Sequence, residues 1–241
     1  MSRNSRGFTI VELTIAVAFL SVLMLAILTI SMAAGKMYVK GDTNKAINQA
    51  GRDFSDTIRR DFLAAGVGTI TPPIINNVGS TGNPLISGRM CLGAVDYLWN
   101  TAALLNSSSA AAEGAKIRMS NGRPIKFVRI TNTAGYCSET PAGSGNYPMT
   151  IPANADVTEM FGGDGREYAL YSMTLRELSR RDERGIYQLS YTLGTNEAES
   201  TEVAPEGYVR CKTDDNVAAN FSYCSVSDFD TLIRIGGVES P

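Results

Sequence analysis

The 241-residue chain reads as an α+β protein: one long N-terminal helix, with a transmembrane half and an amphipathic half, packed on a C-terminal antiparallel β-sheet domain. Three observations predict this. An almost uncharged apolar run fills residues 8–34, and an apolar stripe at helical spacing comes after it. Near residues 169–193, two segments of alternating polarity flank a polar, charged turn, the pattern of a β-hairpin. With 44% apolar residues and only nine prolines, the composition is that of a folded chain, one domain with an appendage.

Residues 1–7, Met1-Ser2-Arg3-Asn4-Ser5-Arg6-Gly7, form a polar leader with two arginines that ends in glycine. In the 27 residues from 8 to 34 the one charge is Glu12. As a helix this run spans about 40 Å, against about 30 Å for a hydrocarbon core. It is too long for an ordinary secretory signal; a cleaved signal ending at Ser31-Met32-Ala33-Ala34 is the lesser alternative. The leader arginines hold the N-terminus in the cytoplasm and put the body outside, a bias that Lys36 and Lys40 weaken without reversing. Glu12 is the anomaly, because a carboxylate within an apolar membrane helix is costly and requires a partner. A cut between Gly7 and Phe8 would create an amine one helical turn away, on the same chain or on a staggered neighbour. In the plainer alternative, Glu12 sits near the headgroups of a simple anchor.

Residues 35–68 make the second helical half. Gly35 and Gly41 are possible weak points, and Asp42 or Thr43 can cap a new stretch. Ile47, Ala50, Phe54, Ile58, Phe62 and Ala65 are spaced by steps of three and four, one apolar stripe, and Gly66 stands where a left-handed cap would fall.

Residues 69–241 form the head. Its clearest element is the hairpin: Ala169, Tyr171, Met173 and Leu175 alternate on one arm, and Tyr187, Leu189, Tyr191 and Leu193 on the other. Shorter strands are expected at 125–131, 207–211 and 231–235, whereas 71–88 and 133–165, rich in Gly, Pro, Asn, Ser and Thr, read as long loops. The stretch 106–112 reads as a surface loop or helix end.

Four cysteines, Cys91, Cys137, Cys211 and Cys224, fit two disulfides in an extracytoplasmic head better than zinc, since no CxxC pair is present. Three connectivities are open. The preferred one closes a short loop with Cys211–Cys224, worth about 3 kcal/mol in the chain-entropy picture, and leaves Cys91–Cys137.

The chain has no histidine, which excludes histidine-based acid–base, nucleophile and zinc chemistry. Asp214, Asp215 and Asn216, with Asp228 and Asp230, offer oxygens for calcium but lack the spaced loop pattern, so a solvated loop is favoured. The arginines at 176, 180, 181 and 184 alternate with acids, and Gly162-Gly163-Asp164-Gly165 has no strand-to-helix context for phosphate. A net charge of -2 leaves no footprint for nucleic acid, and no cofactor motif is present.

Arg6-Gly7-Phe8-Thr9-Ile10-Val11-Glu12-Leu13, leading into a long apolar helix, resembles the prepilin leader of type IV pilins and type II secretion pseudopilins. The resemblance implies cleavage after Gly7 by a prepilin peptidase and N-methylation of Phe8. It also implies that Glu12 neutralises the Phe8 amine of an adjacent subunit when the helices leave the membrane and bundle. Many major pilins carry Gly or Pro inside this helix; residues 13–34 have neither, so melting on assembly is not expected. Gln49-Ala50-Gly51-Arg52, Ile58-Arg59-Arg60-Asp61 and Ala64-Ala65-Gly66-Val67-Gly68 further resemble PilW-type minor pilins, with the J-type minor pseudopilin next. Arg59 and Arg60 themselves read as a solvated helix face. A C-terminal disulfide loop resembles many pilins as well. The implied function is a non-enzymatic minor pilin that primes assembly of a type IV pilus and reaches its tip. Its partners would be major and minor pilins, the prepilin peptidase and an inner-membrane assembly platform. A membrane-anchored extracytoplasmic receptor or enzyme is the alternative from a different class.

Overall fold

The computed structural model describes residues 9–66, 69–80, 84–131, 135–161, 167–178, 185–197, 199–204, 208–213 and 223–236. Gly7, Phe8, the 162–165 segment, the arginines at 180, 181 and 184, and the calcium candidates Asp214, Asp215 and Asn216 lie outside the described residues.

Helix α1 (Ile10–Ala64) runs unbroken for 55 residues, about 82 Å at ~1.5 Å per residue. Gly35 and Gly41 do not interrupt it, and Asp42 and Thr43 start no new helix. Thr43 sits in the helix interior, where its hydroxyl donates to the Val39 carbonyl at 2.9 Å. Residues 9–38 are exposed throughout, whereas Thr43, Ile47, Gly51, Phe54, Ile58 and Phe62 are buried on one face. The helix stops without a left-handed glycine: Ala65 turns extended (ψ 141°), and its N–H still reaches the Asp61 carbonyl at 2.9 Å. The far end of the head crowds this last turn, because Gly236 lies so close to Leu63 that a Cβ there would strike the Leu63 carbonyl.

The head comprises β1 (Thr71–Asn77), β2 (Ile86–Cys91), β3 (Val95–Asn100), α2 (Ala102–Asn106), α3 (Ala110–Ala115), β4 (Arg118–Met119), β5 (Phe127–Thr131), β6 (Thr150–Ile151), β7 (Asp156–Glu159), β8 (Tyr168–Glu177), β9 (Ile186–Thr195), β10 (Thr201–Val203), β11 (Val209–Cys211) and β12 (Val226–Arg234). An antiparallel sheet of five strands has the order β1-β2-β3-β5-β7, and one of three has the order β12-β9-β8. Two strand pairs, β10-β11 and β4-β6, complete the described architecture. Thr101 and Leu170 bridge the ends of the two larger sheets.

The 71–88 segment, expected as a loop, holds β1 and the start of β2. The 106–112 stretch closes α2 and opens α3. Strand β2 hides from pattern reading because five of its six residues are buried, leaving no polar alternation to see. At its centre Gly88 lies opposite Trp99, whose ring covers the space a side chain would need.

The buried face of α1 meets both larger sheets. Phe54 is the hub: its ring centroid lies 4.7 Å from that of Phe127, 5.1 Å from Phe161 and 4.7 Å from Tyr191. Burying an aromatic ring of this kind stabilises by about 2–3 kcal/mol, with edge-on contacts adding to it. A second cluster, with Leu98, Val128, Ile130, Tyr136 and Ile151, fills the other side of the five-stranded sheet.

Candidate functional site

Helix α1 divides into an apolar half, exposed along its length, and a second half packed by one face against the head. The exposed half is long and apolar enough to cross a membrane. At its start, Glu12 is held by its own helix end. Its carboxylate accepts the Thr9 N–H at 3.0 Å and the Thr9 hydroxyl at 2.8 Å, while the Thr9 hydroxyl accepts the Glu12 N–H at 3.3 Å. This is a reciprocal capping box, in which two helix-end donors are satisfied and the anion sits at the positive end of the helix dipole. The T-x-x-E spacing that signals such a box is present in the sequence, masked there by the more conspicuous charge inside an apolar run.

Polar contacts lock the second half to the head. Asp61 accepts from Arg129 Nε at 2.6 Å and Nη2 at 2.9 Å, a two-pronged bond, and accepts the Tyr97 hydroxyl as well. Burial pushes the Asp61 carboxyl upward, but the Arg129 and Tyr97 hydrogen bonds and the charges of Arg129 and Arg60 outweigh it and leave it below the ordinary range. Burial and the Asp61 carboxylate together drive the Tyr97 phenol far up, so it remains a donor. Arg59 and Arg60 are exposed; Arg59 donates to Thr231 at 3.1 Å, and Arg60 bonds back to the helix. The residue of that motif which does the joining is Asp61.

More than one helical turn toward the apolar half, the Tyr191 hydroxyl donates to the Gly51 carbonyl at 2.6 Å and lies 2.6 Å from the Ser55 hydroxyl. Phe229 stacks on Tyr191 with centroids 5.0 Å apart and presses against Gly51, where any Cβ would collide with its ring. A glycine is required here by close approach, not by backbone conformation. Nearer the apolar half, the Lys40 ammonium donates to the Cys224 carbonyl and lies 3.8 Å from Cys211 Sγ, tying the C-terminal disulfide to the helix.

The cysteines are joined as Cys91–Cys137 and Cys211–Cys224, separated by 46 and 13 residues. Asp96 stands beside the first bond, buried, with burial lifting its carboxyl to about 6 against the lowering effect of the Tyr136 N–H. Arg89, also buried, donates to the Tyr136 carbonyl at 2.9 Å and the Pro148 carbonyl at 3.0 Å, holding the 135–149 loop over the sheet. Asp228 and Asp230 are not in a solvated loop but on β12. There they accept from Thr192 at 2.5 Å and from Gln188 at 2.7 Å across the sheet, which corrects the solvated-loop reading of these two residues. Glu12 and the four cysteines are not brought into a common site.

Comparison with family models, with curated proteins and with solved structures gives no match for this chain.

Proposed function

We propose that this chain is a minor pilin, a non-enzymatic subunit that enters a type IV pilus and primes its assembly from the inner membrane. The observation that carries the reading is the exposure of the whole apolar half of α1 on a helix whose other half is fixed to a head. A surface of this extent requires lipid before assembly and like helices after it. The processed N-terminus would place the Phe8 amine next to the Thr9–Glu12 capping box. The carboxylate would then accept a neighbouring subunit's amine, so that correct stagger pairs two charges and slippage leaves both unpaired. Major and minor pilins, a prepilin peptidase and the assembly platform are the partners this requires.

The test is co-expression of the full chain with a prepilin peptidase, then N-terminal peptide mass analysis and filament fractionation. A chain beginning at N-methylated Phe8 and recovered with filaments is expected. A chain still beginning at Met1 would return it to a plain anchored protein, and a start after Ala34 would make it a secreted one. Glu12→Val should leave insertion and cleavage intact but abolish incorporation. Because Gln also completes a capping box, Glu12→Gln separates the two roles: normal incorporation of Glu12→Gln would sink the charge pairing.

A further inference from the structure

Cys91 and Asp96 are directly paired residues at the end of the β2–β3 hairpin. The turn between them is closed by the Leu92 N–H on the Val95 carbonyl at 2.8 Å, with Gly93 at φ 82°. Paired residues of adjacent antiparallel strands project to the same face, so the Asp96 carboxyl is set beside the Cys91 sulfur by register alone. A carboxylate oxygen of Asp96 and the sulfurs of Cys91 and Cys137 all lie within 4.8 Å of one another. Asp96 is 2% exposed; one of its oxygens is served by the Tyr136 N–H and Oδ2 has no hydrogen-bond partner. Leaving such an oxygen unpartnered costs on the order of 1–3 kcal/mol, and a disulfide that only braces the fold gains nothing from it. The two sulfurs differ in access, since Cys91 is buried in β2 and Cys137 is half-exposed in the loop.

We propose that Cys91–Cys137 is a thiol–disulfide exchange site in which Asp96 is the proton donor to, and acceptor from, Cys91. The partner is a dithiol of the oxidoreductase class. One of its thiolates attacks Cys137 Sγ, forming a mixed disulfide as the Cys91–Cys137 bond breaks. The electron pair of that bond leaves on Cys91 Sγ, which takes the proton of the Asp96 carboxyl. The partner's second thiolate then attacks its own sulfur in the mixed disulfide and releases Cys137, which is protonated by water. The protein gains two thiols, the partner becomes a disulfide, and Asp96 regains its proton from solvent. In reverse, the Asp96 carboxylate deprotonates Cys91 and the same steps form the bond. This chemistry is independent of the pilin reading.

Among the described residues, Tyr136 is the titratable group that faces the Asp96 carboxyl besides the sulfurs, and its phenol is raised by burial and by the Asp96 charge. Arg89 is turned toward carbonyls of the loop. Burial brings the carboxyl to about 6, so it changes protonation across an accessible range.

The test is reduction of the detergent-solubilised full chain by dithiothreitol between about pH 5 and 8, with acid quench, alkylation and mass analysis of each disulfide. Rates are divided by the concentration of reductant thiolate. An unassisted disulfide gives a flat profile, which is the result expected for Cys211–Cys224. The normalised rate for Cys91–Cys137 should fall by about tenfold as pH rises through the Asp96 transition, and Asp96→Asn should be flat at the slow rate. A flat wild-type profile would overturn the proposal. So would a variant flat at the fast rate, which would mean that the carboxylate acts only by its charge. Should Asp96→Asn fail to fold, the wild-type rate at pH 5 in heavy water decides: slowing by about twofold or more supports proton transfer, and no slowing overturns it.

Discussion

Removing Arg129 should loosen the junction between helix and head by an amount the geometry sets. Asp61 has 12% and Arg129 23% of its side chain exposed, and the pair shares two hydrogen bonds with a third from Tyr97. Breaking a fully buried pair from one side costs about 3–5 kcal/mol, but water reaches this one at its edge, so about 2 kcal/mol is expected for Arg129→Met. Asp61→Asn should cost about 1 kcal/mol, because the amide oxygen still accepts from Tyr97. The double variant should be less destabilised than the sum by about 1–2 kcal/mol, the coupling of the pair. The assay is urea unfolding of the full chain in detergent, monitored through the fluorescence of Trp99. That residue is the one tryptophan, and it is 1% exposed against Phe127. Additive single and double variants, with coupling under about 0.5 kcal/mol, would refute the view that this pair fixes the head to the helix. The lowered Asp61 carboxyl sets the sign of its pH dependence. Its contribution is present above the ordinary value of 3.8 and is lost as pH falls through the lower folded value, so Asp61→Asn should show a flatter decline in acid.

Asp96 runs the other way. A carboxyl raised to about 6 favours the folded state below the ordinary value of 3.8, and that advantage is lost as pH climbs to about 6. Asp96→Asn should therefore raise thermal stability at pH 8 by about 1 kcal/mol, with the difference vanishing near pH 4 in a melting series. Gly51→Val should destabilise by about 2–3 kcal/mol in urea unfolding, since its side chain must displace the Phe229 ring from Tyr191. Replacing Cys91 and Cys137 with serine should cost about 4 kcal/mol, and replacing Cys211 and Cys224 about 3 kcal/mol, by the loop lengths they close; equal losses in denaturant would contradict the loop-length account.

Helix α1 and the β8–β9 hairpin are legible in the chain because their signals are local. An apolar run and a stripe at steps of three and four specify a helix wherever it lies, and alternation around a polar turn specifies an antiparallel pair, here with Met173 opposite Tyr191. Even there the limits of the helix were decided elsewhere: Gly35 and Gly41 do not interrupt it, and at the Ala64 end Gly236 lies against Leu63. Strands β2 and β3 were invisible because both faces are covered, and the polar side chains of Arg89 and Asn100 find their partners far away in the chain. Arg89 finds carbonyls 47 and 59 residues away, and the Asn100 side chain bonds to the backbone of Ile117 and Ile125. The Asp61–Arg129 pair, 68 residues apart, and the meeting of Asp96 with two cysteine sulfurs have no periodic trace at all. Sequence by itself determined the apolar helix, its buried stripe and the main hairpin, since each is written within a few turns or a few residues. Tertiary structure alone decided which charges are paired, which glycines admit a ring, and which carboxyl stands beside a disulfide, because these depend on register and close approach between elements that meet only when the chain is folded.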